Sequence, residues 1–267
     1  MISYAVMTLA DTLFVGRLGS AALAGVGLGG VVCFTLLCFP FGLMRGAKVL
    51  ISQAVGAGDT DVVPRHARAA LGVAIALGFL VAGLAWCGAD ILRWVAATPE
   101  SGAAAANYAA IRCSAGPFVL AYVAMRESRY GVGDSRSPMV SAVLGNIANV
   151  ALDALFIVGF DWGVEGAALA TCIAHVLEAG LLAGIVRRNA PETLGISFRR
   201  EDLRALWGMG MPTGVQFFLE VGSFTVLAGL LASMAELEMA AHQIALQVMH
   251  FTFLPNVAVS EGASVLA

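Results

Sequence analysis

Runs of residues that are apolar on every side of a helical wheel alternate along the chain with short breaks rich in arginine, aspartate, glycine and proline. A soluble core helix shows only an apolar stripe, whereas about 20 residues apolar all round have the length to cross a roughly 30 Å hydrocarbon layer. Eight such runs can be drawn, at about 1–16, 21–55, 66–87, 105–125, 138–158, 165–187, 206–233 and 239–267. The pattern predicts an all-α integral membrane protein. The first run is short, since only ten residues precede Asp11, and upstream sequence is expected to be missing. Pro40, Pro117, Pro212 and Pro255 fall inside runs two, four, seven and eight, where each removes a helix hydrogen bond and predicts a bend.

Composition strengthens this reading. Of 267 residues, 59% are hydrophobic and 12% charged, against about 25% charged in a soluble domain. The 31 glycines would weaken exposed helices, but small residues let membrane helices pack backbone to backbone. A net charge of −3 gives no basic surface for nucleic acid. The five cysteines stand singly in or beside apolar runs, without the spacing of a zinc site, and read as packing thiols. No clustered ligand set or Ser/His pair marks an enzyme, and no cofactor is expected.

Arginines set the orientation. Arg65, Arg68, Arg126, Arg129, Arg136, Arg187, Arg188, Arg199, Arg200 and Arg204 fall on one side of the alternating runs, and only Arg17 and Arg93 on the other. Cytoplasmic loops hold the excess, so the N-terminus is expected inside a plasma (inner) membrane. Trp86, Trp94, Trp162 and Trp207 fall at run ends, where an interfacial aromatic belt would place them. The longest connection reads as a cytoplasmic linker at 189–205, between a unit at 1–188 and a second at 206–267. Shifting the chain by 216 residues lays 46–50 (Gly-Ala-Lys-Val-Leu) over 262–266 (Gly-Ala-Ser-Val-Leu), so runs one and two resemble runs seven and eight. Six intervening runs make the two units parallel, a repeat arrangement found in secondary transporters.

A charge at the bilayer centre costs about 2.5–3.5 kcal/mol on insertion scales, so each carboxylate inside a run is a functional candidate. These are Asp11, Asp153, Glu178, Glu220 and Glu261. Asn146, Asn149 and Asp153 stand at i, i+3 and i+7, on one helical face that has to avoid lipid. Asn149 and Asp153 can converge on one proton or hard cation, with Thr171 of the next run adding a hydroxyl; interhelical hydrogen bonding is the alternative for the asparagines. Gln216 and Glu220 follow Pro212 at i+4 and i+8, roughly on one face again, which makes Glu220 a second candidate acid. Gln243, Gln247 and His250 line up at i, i+4 and i+7 in the last run, as a polar cavity wall or as helix–helix hydrogen bonds, while Arg112, Tyr122, His175 and Glu178 fit helix-end snorkelling or internal pairing as well as transport.

Specific strings add a lineage. Residues 11–19 (Asp-Thr-Leu-Phe-Val-Gly-Arg-Leu-Gly) with 22–25 (Ala-Leu-Ala-Gly), then 52–59 (Ser-Gln-Ala-Val-Gly-Ala-Gly-Asp), 131–136 (Gly-Val-Gly-Asp-Ser-Arg), 152–156 (Leu-Asp-Ala-Leu-Phe) and 162–171, come in the order and spacing of one family. The set resembles the multidrug and toxic compound extrusion (MATE) transporters, in particular their DinF-like branch. The resemblance implies a MATE-like helical bundle: a six-helix N-terminal lobe, here with a truncated first span, and about two helices of an incomplete C-terminal lobe. It implies antiport, in which H+ or Na+ enters as a small amphipathic, often cationic compound leaves. By that resemblance Asp11, Asn149, Asp153 and Thr171 form the cation site and Glu220 is the acid of span seven; the polar helix faces described above assign Asn146, Gln216 and Glu220 to the substrate cavity. Two alternatives remain: a lipid-linked saccharide flippase of the same superfamily, and a truncated fragment that transports nothing.

Overall fold

The computed structural model of the chain describes residues 2–234 and, beyond them, only 241, 242, 245, 248, 249, 259 and 263. The last expected run, with Gln243, Gln247, His250 and Glu261 and the repeat that rests on it, lies outside the described residues apart from those few positions. Within them the chain is helical, with no strand. The helices are α1 (Ile2–Val15), α2 (Ser20–Gly56), α3 (Val63–Val95), α4 (Pro99–Ser114), α5 (Gly116–Gly131), α6 (Arg136–Asp153), α7 (Gly163–Asn189) and α8 (Arg200–Met234). Among the described residues α2, α3, α6 with its continuation to Gly159, and α7 are long and apolar enough to span a membrane. The pair α4 and α5, bent by 51°, makes a fifth such span if counted as one.

Several boundaries have a local cause. Thr98 caps α4: its side chain accepts from the Ser101 backbone N–H while Ser101 Oγ accepts from the Thr98 N–H, and Pro99 occupies the first turn, where no N–H is needed. The expected run at 105–125 is broken into α4 and α5 at Ala115, two residues before Pro117. Pro117 sits in the first turn of α5, and Gly78 of α3 presses against it so closely that a methyl on Gly78 would lie 2.5 Å from the Pro117 nitrogen. The break is therefore a packed joint between α3 and α5. After Asp153 the helix widens into one π-helical stretch, Ala154–Gly159. Asp161 (φ 54°) and Gly163 (φ 57°) then turn the chain straight into α7, beneath a cluster of Phe156, Phe160 and Trp162 with ring centroids 4.9–6.1 Å apart.

The core gathers side chains of α2, α3, α4, α5 and α7, with Leu43, Met44, Leu120 and Leu182 fully buried in it. The outside is apolar too, as a lipid-facing surface has to be: Phe79, Ile91, Ile147 and Leu219 are among the exposed large side chains. The four tryptophans are also exposed, Trp94 at 89%.

Helix α8 lies along α2 through glycines. Gly42 and Gly46 on one helix meet Gly214 and Gly210 on the other, and a methyl added at Gly46 would stand 2.6 Å from the Gly210 Cα. Both pairs have the small-x-x-x-small spacing that lets helices meet backbone to backbone. Phe34 and Phe217 pack edge to face beside this seam, at 6.0 Å. The connection expected at 189–205 is shorter in the structure, because α8 already begins at Arg200. It is tied down along its length: Arg68 Nε donates to the Glu192 carbonyl at 2.7 Å, the Ser197 N–H donates to the Arg68 carbonyl at 3.3 Å, and at the start of α8 Asp202 and Glu201 pair with Arg65 at 3.1 Å and 3.3 Å.

Candidate functional site: a buried acid pair and its arginine

Four helices bring polar groups to one place in the bundle. Asp11 comes from the last turn of α1, Asn149 and Asp153 from the last turns of α6, Thr171 from the middle of α7 and Arg112 from the end of α4. Asp11, Asn149, Asp153 and Thr171 are at most 2% exposed and Arg112 is 8% exposed, so none of them is solvated at the surface.

Asp11 is the hub. Its Oδ2 accepts from Arg112 Nη1 at 3.2 Å and from the Thr171 hydroxyl at 3.1 Å, and its Oδ1 accepts a long contact from Asn149 Nδ2 at 3.4 Å. Thr171 Oγ also lies 3.0 Å from the Ala167 carbonyl, and one hydroxyl proton can serve only one of these acceptors fully at a time. Arg112 Nη1 further reaches the Tyr108 hydroxyl at 2.7 Å, and its guanidinium carbon lies 5.6 Å from the Tyr108 ring centroid. One guanidinium nitrogen thus bridges the Asp11 carboxylate and the Tyr108 hydroxyl.

Asp153 is in a different position. Both its carboxylate oxygens are buried and accept no hydrogen bond, and the same holds for Asn149 Oδ1. The charges that act on Asp153 are those of Asp11 first and Arg112 second. Three buried oxygens without a donor are costly unless something positive meets them. A proton on one carboxyl would let the two acids share it, as neighbouring carboxyls do when both cannot ionise. A bare hard cation would be met by the same oxygen-only set. The arginine fixes the count. With both acids ionised and the guanidinium always charged, the cluster carries −1, and one proton or one monovalent cation brings it to zero.

The sequence-derived residues Asp11, Asn149, Asp153 and Thr171 therefore meet in space. Asn146 is half-buried, one turn before Asn149 on α6, whereas Gln216 and Glu220 are exposed on α8, which packs on α2 and α3. Arg112 is the participant that sequence reasoning left unassigned. Its signal was an arginine inside an apolar run, one helical turn after Tyr108, which calls for an internal anion. Among the described residues no group of three or more His, Cys, Asp and Glu could hold a transition metal.

Comparison with known proteins places this arrangement in a lineage. The MatE family model matches residues 1–155. The chain is 31% identical over 269 residues to a probable multidrug resistance protein NorM of Pseudomonas syringae pv. tomato and 30% identical over 263 residues to that of Pseudomonas putida. These alignments cover 97% and 95% of this chain but 58% and 57% of the relatives, so the chain spans a little over half the length of the curated proteins it matches. Its fold is similar to an outward-facing multidrug resistance MATE family transporter of the MOP superfamily. That match has a TM-score of 0.86 at 24% identity and covers 99% of this chain and 60% of the other. With a family match over more than half its length and the same helical arrangement in solved transporters, the chain belongs to the MATE family of multidrug efflux transporters.

Proposed function

We propose that this chain is the cation-coupling part of a drug or metabolite exporter that exchanges H+ or Na+ for a small amphipathic, cationic compound. The observation that carries the reading is the set of three unpartnered buried oxygens on Asn149 and Asp153 beside the Asp11–Arg112 pair. In this reading Asp11, Asn149, Asp153 and Thr171 bind the coupling ion, and Asn146, Gln216 and Glu220 face the substrate route. Residues 1–188 form the N-terminal lobe, 189–205 the cytoplasmic connection and 206–267 the start of the C-terminal lobe. The N-terminus lies on the cytoplasmic side of the inner membrane, where the arginine-rich loops lie.

Coupling then follows from linkage. Loading the cluster changes its charge from −1 to zero and weakens its hold on a cationic compound, while the compound in turn disfavours loading by the same factor. The membrane potential adds about 2.3 kcal/mol per charge per 100 mV, enough to bias two states that differ by a few kcal/mol. The test is Asp153→Asn in the full-length protein, reconstituted in liposomes. Uptake of ethidium driven by an imposed H+ or Na+ gradient should vanish while the folded protein is still recovered. Undiminished uptake would remove Asp153 from the mechanism.

A further inference from the structure

Beyond the Asp11 cluster α7 buries a second titratable pair. His175 Nδ1 and Glu178 Oε2 lie 3.0 Å apart, with the residues 7% and 4% exposed, and Gly145 of α6 gives up its side chain so that the Glu178 side chain can lie against it. Thr171, His175 and Glu178 stand at i, i+4 and i+7, within about 60° of one another around the helix. The pair therefore continues the face that carries the cluster, about 6 Å and 10 Å further along the axis. That direction leads to Arg187 and Arg188, the cytoplasmic end of α7 in the proposed orientation. Nothing in the packing calls for an ionisable pair at this depth. Apolar side chains would fill the space without the cost of desolvating two ionisable groups.

We propose that His175 and Glu178 form a proton-transfer station between the Asp11 cluster and the cytoplasm. The inference rests on the exchange reading above and concerns the route the proton takes. A proton arriving at the His175 ring nitrogen that faces away from Glu178 makes an imidazolium. The proton between Nδ1 and Oε2 then passes to the carboxylate, leaving neutral histidine and a protonated Glu178. Loss of that proton to the cytoplasmic side and a tautomer change in the ring restore the starting state, with no net charge left behind.

The neighbouring groups leave the station free to do this. Tyr122 of α5 lies near Glu178 but gives its hydroxyl proton to the Pro138 carbonyl at 3.3 Å. Arg126, 5.9 Å from the Tyr122 ring centroid, is held by Glu127 at 2.8 Å. Toward the cluster, Arg112 of α4 is committed to Asp11 of α1, and Asp153 of α6 is the acid without a donor of its own.

The experiment uses the full-length protein in weakly buffered detergent solution, with an indicator dye recording protons released when ethidium is added. Release by the wild type and none by Asp153→Asn supports exchange. No release by the wild type would overturn this station and the proton form of the exchange reading, leaving only Na+ as the coupling ion. Where release occurs, Glu178→Gln should keep the ethidium affinity and the number of protons released but slow release by about 10²-fold, and free imidazole in the buffer should restore the rate. His175→Gln carries the same expectation and serves if Glu178→Gln does not fold. Release at the wild-type rate in both variants, or slowing that imidazole does not relieve, overturns the proposal while the exchange reading stands.

Discussion

The glycine seam between α2 and α8 makes a quantitative prediction. In Gly46→Ala the new methyl would lie 2.6 Å from the Gly210 Cα, against about 3.5–4.0 Å for comfortable carbon contact, so the helices have to separate by about 1 Å. Overpacking of this kind costs about 1–3 kcal/mol. Gly83 of α3 is the control, because a methyl there meets nothing within 4 Å and gains about 0.5–1 kcal/mol from reduced backbone freedom. The reporter is built in: Trp207 of α8 stands 6.1 Å from Phe39 of α2, across the same interface. Tryptophan fluorescence of the purified protein in detergent should show an unfolding midpoint lowered by about 2–10 °C in Gly46→Ala and not lowered in Gly83→Ala. Gly210→Ala should behave like Gly46→Ala, and the double variant should cost less than the sum, since one separation relieves both clashes. A Gly46→Ala midpoint no lower than that of Gly83→Ala, or full additivity, would refute direct backbone contact along this seam.

Two further outcomes follow from single residues. Arg112→Met leaves Asp11 buried with Thr171 and Asn149 but no cation, and should cost about 3–5 kcal/mol in the unfolding of the purified protein; a midpoint equal to the wild type's would contradict the pairing. Asp134, in the connection between α5 and α6, is raised by partial burial. The Ser137 hydroxyl and backbone N–H and the Arg129 guanidinium outweigh that, and hold its carboxyl below the usual range. Its contribution is therefore fully present above the unfolded value of about 3.9 and is lost as pH falls through the lower folded value. Asp134→Asn should lower the melting midpoint at pH 7, and the difference from wild type should shrink below about pH 4.

How much of this could be read beforehand depended on whether the information was local. The acid and amide on α6 were legible because i, i+3 and i+7 spacing fixes a face without any knowledge of neighbours, and the membrane makes a polar face expensive. Asp11 stood out as a carboxylate inside an apolar run and Thr171 as a hydroxyl on the next one, and the strings that resemble one family joined them to the pair on α6. Arg112 could be seen as anomalous but not assigned, because its partner lies 101 residues away and no spacing rule relates two helices. The bend that Pro117 predicts is present, at Ala115 just before it, and what the sequence could not show is Gly78 of α3 packed against that joint. The π-helical stretch after Asp153 has no compositional mark, yet it lies directly beyond the acid, where such widened turns often attend functional groups. Gln216 and Glu220 show the limit of periodicity: their helix was foreseen, but not how it would lie against α2.

Asp11 emerges from the ribosome long before anything that can hold it. Arg112, Asn149 and Thr171 follow it by 101, 138 and 160 residues. Until α4, α6 and α7 are made, Asp11 is an unescorted acid, and carrying it into lipid before then would cost about the 2.5–3.5 kcal/mol that insertion scales assign to such a group. The order of synthesis therefore leaves α1 without its anchor until the arginine arrives.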